Sequence, residues 1–164
     1  EIVYDPEGLL KKVLDEKLQI PESFWINRIV MHAEHLKWYC CPPCESVGTV
    51  AENWVERGDM QSAHHCLNYS ADLILKILFA LNREHLPAPK WQLFYSRNLK
   101  WLPKGYKDLM EDAMRIRSFS LEDFNFRLKA LREMWKSTLP KIRSETRLTA
   151  DQISTYYVKK ILRV

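Results

Sequence analysis

From Met60 to Leu81 apolar residues cover nearly the whole circumference of a helix. Met60, Ala63, Leu67, Ala71, Ile74, Leu78 and Leu81 recur at helical spacing, and Cys66, Leu73, Ile77 and Ala80 widen that stripe. Only Gln61, His65, Asp72 and Lys76 are left as a narrow polar strip. A helix apolar on most sides has to be covered on most sides. The rest of the chain is therefore expected to wrap this segment as the central helix of a bundle, with Gly58-Asp59 supplying a helix stop and then an N-cap.

The flanking sequence agrees with that expectation. Leu9, Leu10, Val13, Leu14 and Leu18 predict a helix ended by Pro21, and Phe24, Trp25, Ile29, Ala33, Leu36 and Tyr39 predict a second, to about Cys41, stopped by Pro42-Pro43. A third is expected over Glu45–Arg57, with Val47, Val50, Ala51 and Trp54 inward. Shorter ones are expected near Trp91–Arg97 and Tyr106–Arg115. Ser120 with Asp123 opens a long helix toward Arg147, with Pro140 as a kink or break. Thr149 caps a last helix to Arg163. Glu1-Ile2-Val3-Tyr4 reads as a short strand closed by the turn Asp5-Pro6-Glu7-Gly8, and a lone strand needs a partner sheet. The expected architecture is an all-α, up-and-down bundle of about five to seven helices over residues 9–164, with residues 1–8 a strand and linker from a missing upstream domain.

Composition narrows the function classes. With 46% hydrophobic and 28% charged residues, the 164-residue chain is neither disordered nor low-complexity. Four Gly against eight Pro is a poor supply for glycine-rich phosphate loops. The longest apolar run, Leu73–Leu81, is interrupted by Lys76 and falls far short of the ~20 residues of a membrane span. No membrane role is expected. No basic-then-apolar leader opens the chain. Cys40, Cys41, Cys44 and Cys66 make a poor disulfide framework, so a reducing, cytoplasmic setting is the expectation. Residues 127–164 carry ten Lys and Arg against Glu133, Glu145 and Asp151, while the remainder is faintly acidic. A basic end suits a polyanion (a nucleotide, RNA, or an acidic neighbouring domain) as well as a solvated helix face.

Several constellations carry candidate chemistry. His32-x-x-His35 followed by Cys41-x-x-Cys44 offers two imidazoles and two thiols, a candidate zinc set weighed against a helix end with buried thiols. The Cys41-Pro42-Pro43-Cys44 run lacks the βαβ context of a redox motif. Neither phosphate fingerprint, Gly-x-x-x-x-Gly-Lys-Ser/Thr nor Gly-x-Gly-x-x-Gly, is present. The six tryptophans are expected mainly as core anchors rather than base-stacking platforms. Arg57 and His64, six residues apart, resemble the Arg…His pair of HEPN-type ribonucleases, in which Arg would steady a phosphate and His would move protons. That resemblance implies an interaction or RNA-binding module, with a homodimer as one form.

Three stretches together resemble the C-terminal helical half of nucleotidyltransferases of the kanamycin/aminoglycoside type. Glu1–Gly8 looks like the last core strand and exit turn. Arg57-Gly58-Asp59, through His65 to Leu78-Phe79-Ala80-Leu81-Asn82-Arg83 and then Pro89-Lys90-Trp91, is similar to an uncharacterised family that joins such a core to a helical C-terminal domain. Leu102-Pro103-Lys104-Gly105-Tyr106 resembles the Leu-Pro-x-Gly-Tyr segment of the kanamycin enzymes. The resemblance implies Mg²⁺ and a nucleoside triphosphate for a parent protein, held by Gly-Ser and Asp-x-Asp/Glu in an upstream domain. No Gly-Ser occurs here, so this chain alone is expected to transfer nothing and to hold no cofactor. The family's base Glu and nucleotide-contacting Lys precede a Trp. Matched on Trp54 those positions read Thr49 and Asn53, and Glu34-His35-Leu36-Lys37-Trp38 is a near match one helix earlier. The implied role is a substrate- or partner-binding half facing its own upstream domain and a nucleotide or small-molecule acceptor. Arg57, Asp59, His65, Lys90 and Trp91 are the candidate contacts: Arg57 and Lys90 for phosphate charge, Trp91 for stacking.

Overall fold

A computed structural model describes residues 4–17, 20–42 and 48–162. Among them the chain is all α. Eight helices run as α1 (Leu9–Lys17), α2 (Glu22–Tyr39), α3 (Val50–Glu56), α4 (Met60–Leu81), α5 (Pro89–Ser96), α6 (Tyr106–Met114), α7 (Leu121–Thr146) and α8 (Ala150–Tyr156), followed by a π-helical segment, Tyr157–Leu162. They match the eight helical segments expected one by one from the sequence, close to the overall count of about five to seven, and the all-α bundle is as expected. Three residues of the expected strand, 1–3, lie outside the described set, and Tyr4 is exposed and in no regular element.

α4 is the centre. Leu67, Leu73 and Leu78 are fully buried, each stabilising the fold by about 2 kcal/mol. Gln61, His65 and Asp72 are exposed and Lys76 is half-buried, as the polar strip requires. α2 packs along α4 most extensively, α7 and α3 cover further sides, α6 packs on α7, and α8 with the π segment lies against α2.

Side chains at the helix ends fix the chain's path. Gly58 takes a left-handed φ of 76°, and Asp59 then accepts hydrogen bonds from the Ser62 backbone N–H at 2.9 Å and its hydroxyl at 2.7 Å. α3 starts at Val50, and the expected start at Glu45, with Val47, lies outside the described residues. Thr49 and Glu52 form a reciprocal capping box there, Thr49 N donating to Glu52 Oε2 at 3.1 Å and Glu52 N to Thr49 Oγ1 at 3.3 Å. After α4 the side chain of Asn82 stands in for a backbone partner, donating to the Trp101 carbonyl at 2.9 Å and accepting from the Trp101 N–H at 2.8 Å. Arg83, at a left-handed φ of 58°, pairs with Glu22 and with Glu145, tying the ends of α2, α4 and α7 together.

Two expectations need correction. Of the kink or break expected at Pro140, the break is not formed: α7 runs through it as one helix. The carbonyl that Pro140 leaves without a donor belongs to Lys136, and both residues are exposed, so water can serve it. The last helix does not continue regularly to Arg163. It widens into π geometry at Tyr157, whose hydroxyl lies 3.2 Å from His35 Nε2.

Candidate functional site

The largest fully buried side chain among the described residues is Arg127 on α7, although it counts toward the basic end. Its Nε donates to the Ala113 carbonyl at 2.8 Å, one terminal nitrogen to His64 Nδ1 at 2.7 Å, and the other to Asn68 Oδ1. A guanidinium only donates, so His64 Nδ1 accepts and its proton sits on Nε2. Burial, then the Arg127 charge, pull the His64 pKa down, against the Ser120 carbonyl and Asp123. The Ser120 carbonyl is near but outside hydrogen-bonding geometry, and Nε2 has no partner. Phe119 and Phe124 meet the ring edge-on. His64 is thus bonded to Arg127. Arg57 is exposed at the end of α3, its guanidinium 4.9 Å from the Trp54 ring centre, so the Arg57–His64 pair is not formed within this chain.

The other sequence candidates separate. Arg57, Asp59 and His65 lie at the start of α4, with Asp59 engaged as a cap and His65 exposed. Lys90 and Trp91 lie on α5, which follows the far end of that 22-residue helix. The two sets lie on different elements, at the start of α4 and on α5.

The zinc candidates also face apart. His32 lines a cavity between α2 and α4, and His35 meets Tyr157. Cys41 is buried with its sulfur 3.4 Å from that of Cys40, and burial raises its thiol pKa well above the ordinary value. Cys44 lies outside the described residues. Among the described residues no three His, Cys, Asp or Glu side chains converge as a metal set.

The Glu34–Lys37 near match has a local occupation. Lys37 Nζ donates to Glu34 Oε2 at 3.2 Å, the Ala150 carbonyl at 3.0 Å and Ser154 Oγ at 2.6 Å, and Ser154 Oγ donates to Glu34 Oε2 at 2.8 Å. This buried pair pins α8 to α2. The basic end is partly used inside the fold in the same way: Arg132 pairs with Glu52 at 2.9 Å and Lys141 with Glu145 at 2.7 Å.

One open surface is α5 and the loop that follows it. Trp91, Phe94 and Tyr95 are 46%, 55% and 49% exposed, with ring centres 5.3 to 6.1 Å apart in edge-on and tilted pairs. Pro89 at the first turn fixes the helix start, and Leu93 turns toward the core, which leaves only aromatic side chains outward as the helix's large apolar groups. Lys90 lies 5.7 Å from the Trp91 ring centre. Residues 90–107 hold five cations, Lys90, Arg97, Lys100, Lys104 and Lys107, and no acid. All five are exposed, and none forms an ion pair among the described residues. Sequence reasoning found Lys90 and Trp91 but not this run, which a charge count in a short window would have shown. No family model, curated protein or solved structure matches the chain. The surface has to be read from its own chemistry.

Proposed function

We propose that this chain is the substrate- or partner-binding helical half of a nucleotidyltransferase-like protein, without catalysis of its own, and that it meets a nucleobase-and-phosphate ligand on α5. The supporting observation is the acid-free run of five exposed cations beside three half-exposed rings. Ring faces accept bases with little sequence preference, and unpaired Lys and Arg supply the phosphate contacts. In this reading Mg²⁺ and the nucleoside triphosphate belong to an upstream core. Arg57, Asp59 and His65 have less support as contacts, since Asp59 serves the α4 cap and Arg57 rests on Trp54.

The test is a titration of the chain with a short single-stranded oligoribonucleotide, followed by tryptophan fluorescence at several salt concentrations. Trp91→Ala should weaken binding by about tenfold or more, the loss of one stacked base. Lys90→Gln should weaken it less and flatten the salt dependence. Binding that ignores both substitutions, or none at millimolar oligonucleotide, overturns the reading.

A further inference from the structure

α2 presents Arg28 and His32 one turn apart, and α4 presents Lys76 from its polar strip. With Phe24 and Trp25 from α2 and His85 from the segment after α4, they surround a cavity of about 230 Å³. Ordinary ligand sites run from ~300 to 1,000 Å³. This one has room for a single small molecule and not for a polymer.

Its electrostatics are incomplete. Neither Arg28 nor Lys76 forms an ion pair among the described residues. Each lies against an aromatic ring, Arg28 at 4.6 Å from the Phe24 ring centre and Lys76 at 5.6 Å from that of Tyr69. Glu84, exposed on the cavity lining, pairs with neither. Between them His32 is 8% exposed, and its Nδ1 is buried with no hydrogen-bond partner. Burial, then Lys76, Arg28 and His35, lower its pKa to about 4, so the ring is neutral near pH 7. Arg28 is exposed and Lys76 half-buried, so water can serve both cations, whereas a buried nitrogen without a partner, as at His32 Nδ1, is rare in a folded protein. One oxyanion answers both cations and favours a proton on the imidazole between them. Trp25 and His85, 5.5 Å apart and tilted, form the apolar wall.

We infer that the α2–α4 cavity is a binding site for a small phosphate monoester bearing a flat ring, with Arg28 and Lys76 on the phosphate and Trp25 and His85 beside the ring. A dianionic phosphate matches the two cations better than a carboxylate does. The site shares no residue with the α5 surface and does not rest on that reading.

The probes are phenyl phosphate, inorganic phosphate and benzoate, titrated into the full chain with calorimetry and histidine NMR. Phenyl phosphate should bind more tightly than either of the others and raise the His32 pKa by about one unit or more, leaving exposed His65 unmoved. Arg28→Gln and Lys76→Gln should each weaken binding about tenfold or more. Arg28 is exposed, so its variant keeps the test valid if the Lys76 variant fails to fold. Trp91→Ala should bind phenyl phosphate as the unaltered chain does. A stationary His32, affinity unchanged in Arg28→Gln, or weakened binding in Trp91→Ala each overturns the assignment.

Discussion

Replacing Arg127 by Met tests whether one buried cation holds the α4–α6–α7 junction together. The substitution keeps length and apolar stem but removes all three donors. Three acceptors lose their partner: the Ala113 carbonyl, His64 Nδ1 and Asn68 Oδ1. Asn68 is half-buried and can turn to water, whereas Ala113 is fully buried and His64 is 1% exposed. Two stranded acceptors at about 2 kcal/mol each suggest a loss of ~4 kcal/mol. Removing a guanidinium whose own pKa is lowered by burial returns part of that, so the net cost is about 3 kcal/mol. Urea unfolding of the single variant and of Arg127→Met with His64→Leu measures it. The double variant should lose less than the two singles added together, by ~1 kcal/mol or more, because a leucine in place of the imidazole asks for no donor. Additive losses, or a single-variant cost below about 1 kcal/mol, would refute the claim that the guanidinium serves buried partners.

Two further outcomes follow from named groups. His32 has a folded pKa of about 4 against an ordinary 6.5, so the unfolded chain takes up the proton first as pH falls. Its contribution is whole above about pH 6.5 and declines toward pH 4, a loss of ~3 kcal/mol, with His64 adding to it in the same direction. Chemical denaturation at pH 7.5 and 4.5 should show a clearly smaller drop in His32→Gln, and parallel drops would count against the buried neutral imidazole. Asn82→Ala removes three hydrogen bonds, including both to Trp101, and should cost about 2 kcal/mol and release the Trp101 amide to hydrogen exchange. Unchanged protection there would mean that the loop is held by packing alone.

The helical fold was legible where apolar spacing is dense. Met60–Leu81 is central because so many of its positions can only be buried, and the caps at Asp59, Ser120 and Thr149 lie where short polar side chains precede those patterns. It was less legible where two local signals compete. Glu45 offers a helix start after the prolines and lies outside the described residues, whereas Thr49 has a Glu three residues on to complete a box, and α3 begins after it. Pro140 signals a break by its own chemistry, yet whether the orphaned carbonyl faces water is a tertiary fact. The π segment at Tyr157 leaves no composition signal, since its widening accompanies the approach of Tyr157 to His35, 122 residues away.

The candidate site showed in the sequence only as Lys90 and Trp91, for a related reason. Formal charge counts every Lys and Arg as available, so residues 127–164 stand out as the polyanion-seeking end. Folding engages part of that charge: Arg127 serves His64 and Ala113, Arg132 serves Glu52 and the Cys40 carbonyl, and Lys141 serves Glu145. Among the described residues the five cations of residues 90–107 have no ion-pair partner, and neither do the exposed Lys129, Lys136, Arg143, Arg147, Lys159 and Lys160; the 90–107 stretch differs in holding no acid and in carrying the half-exposed rings of Trp91, Phe94 and Tyr95. Arg28 and Lys76 are isolated for a different reason, each lying against a ring in place of a carboxylate. What a cation can do for a ligand depends on what the fold has already asked of it and on what stands beside it, and the rings beside Lys90 and Arg28 direct attention to α5 and the α2–α4 cavity alongside the C-terminal end.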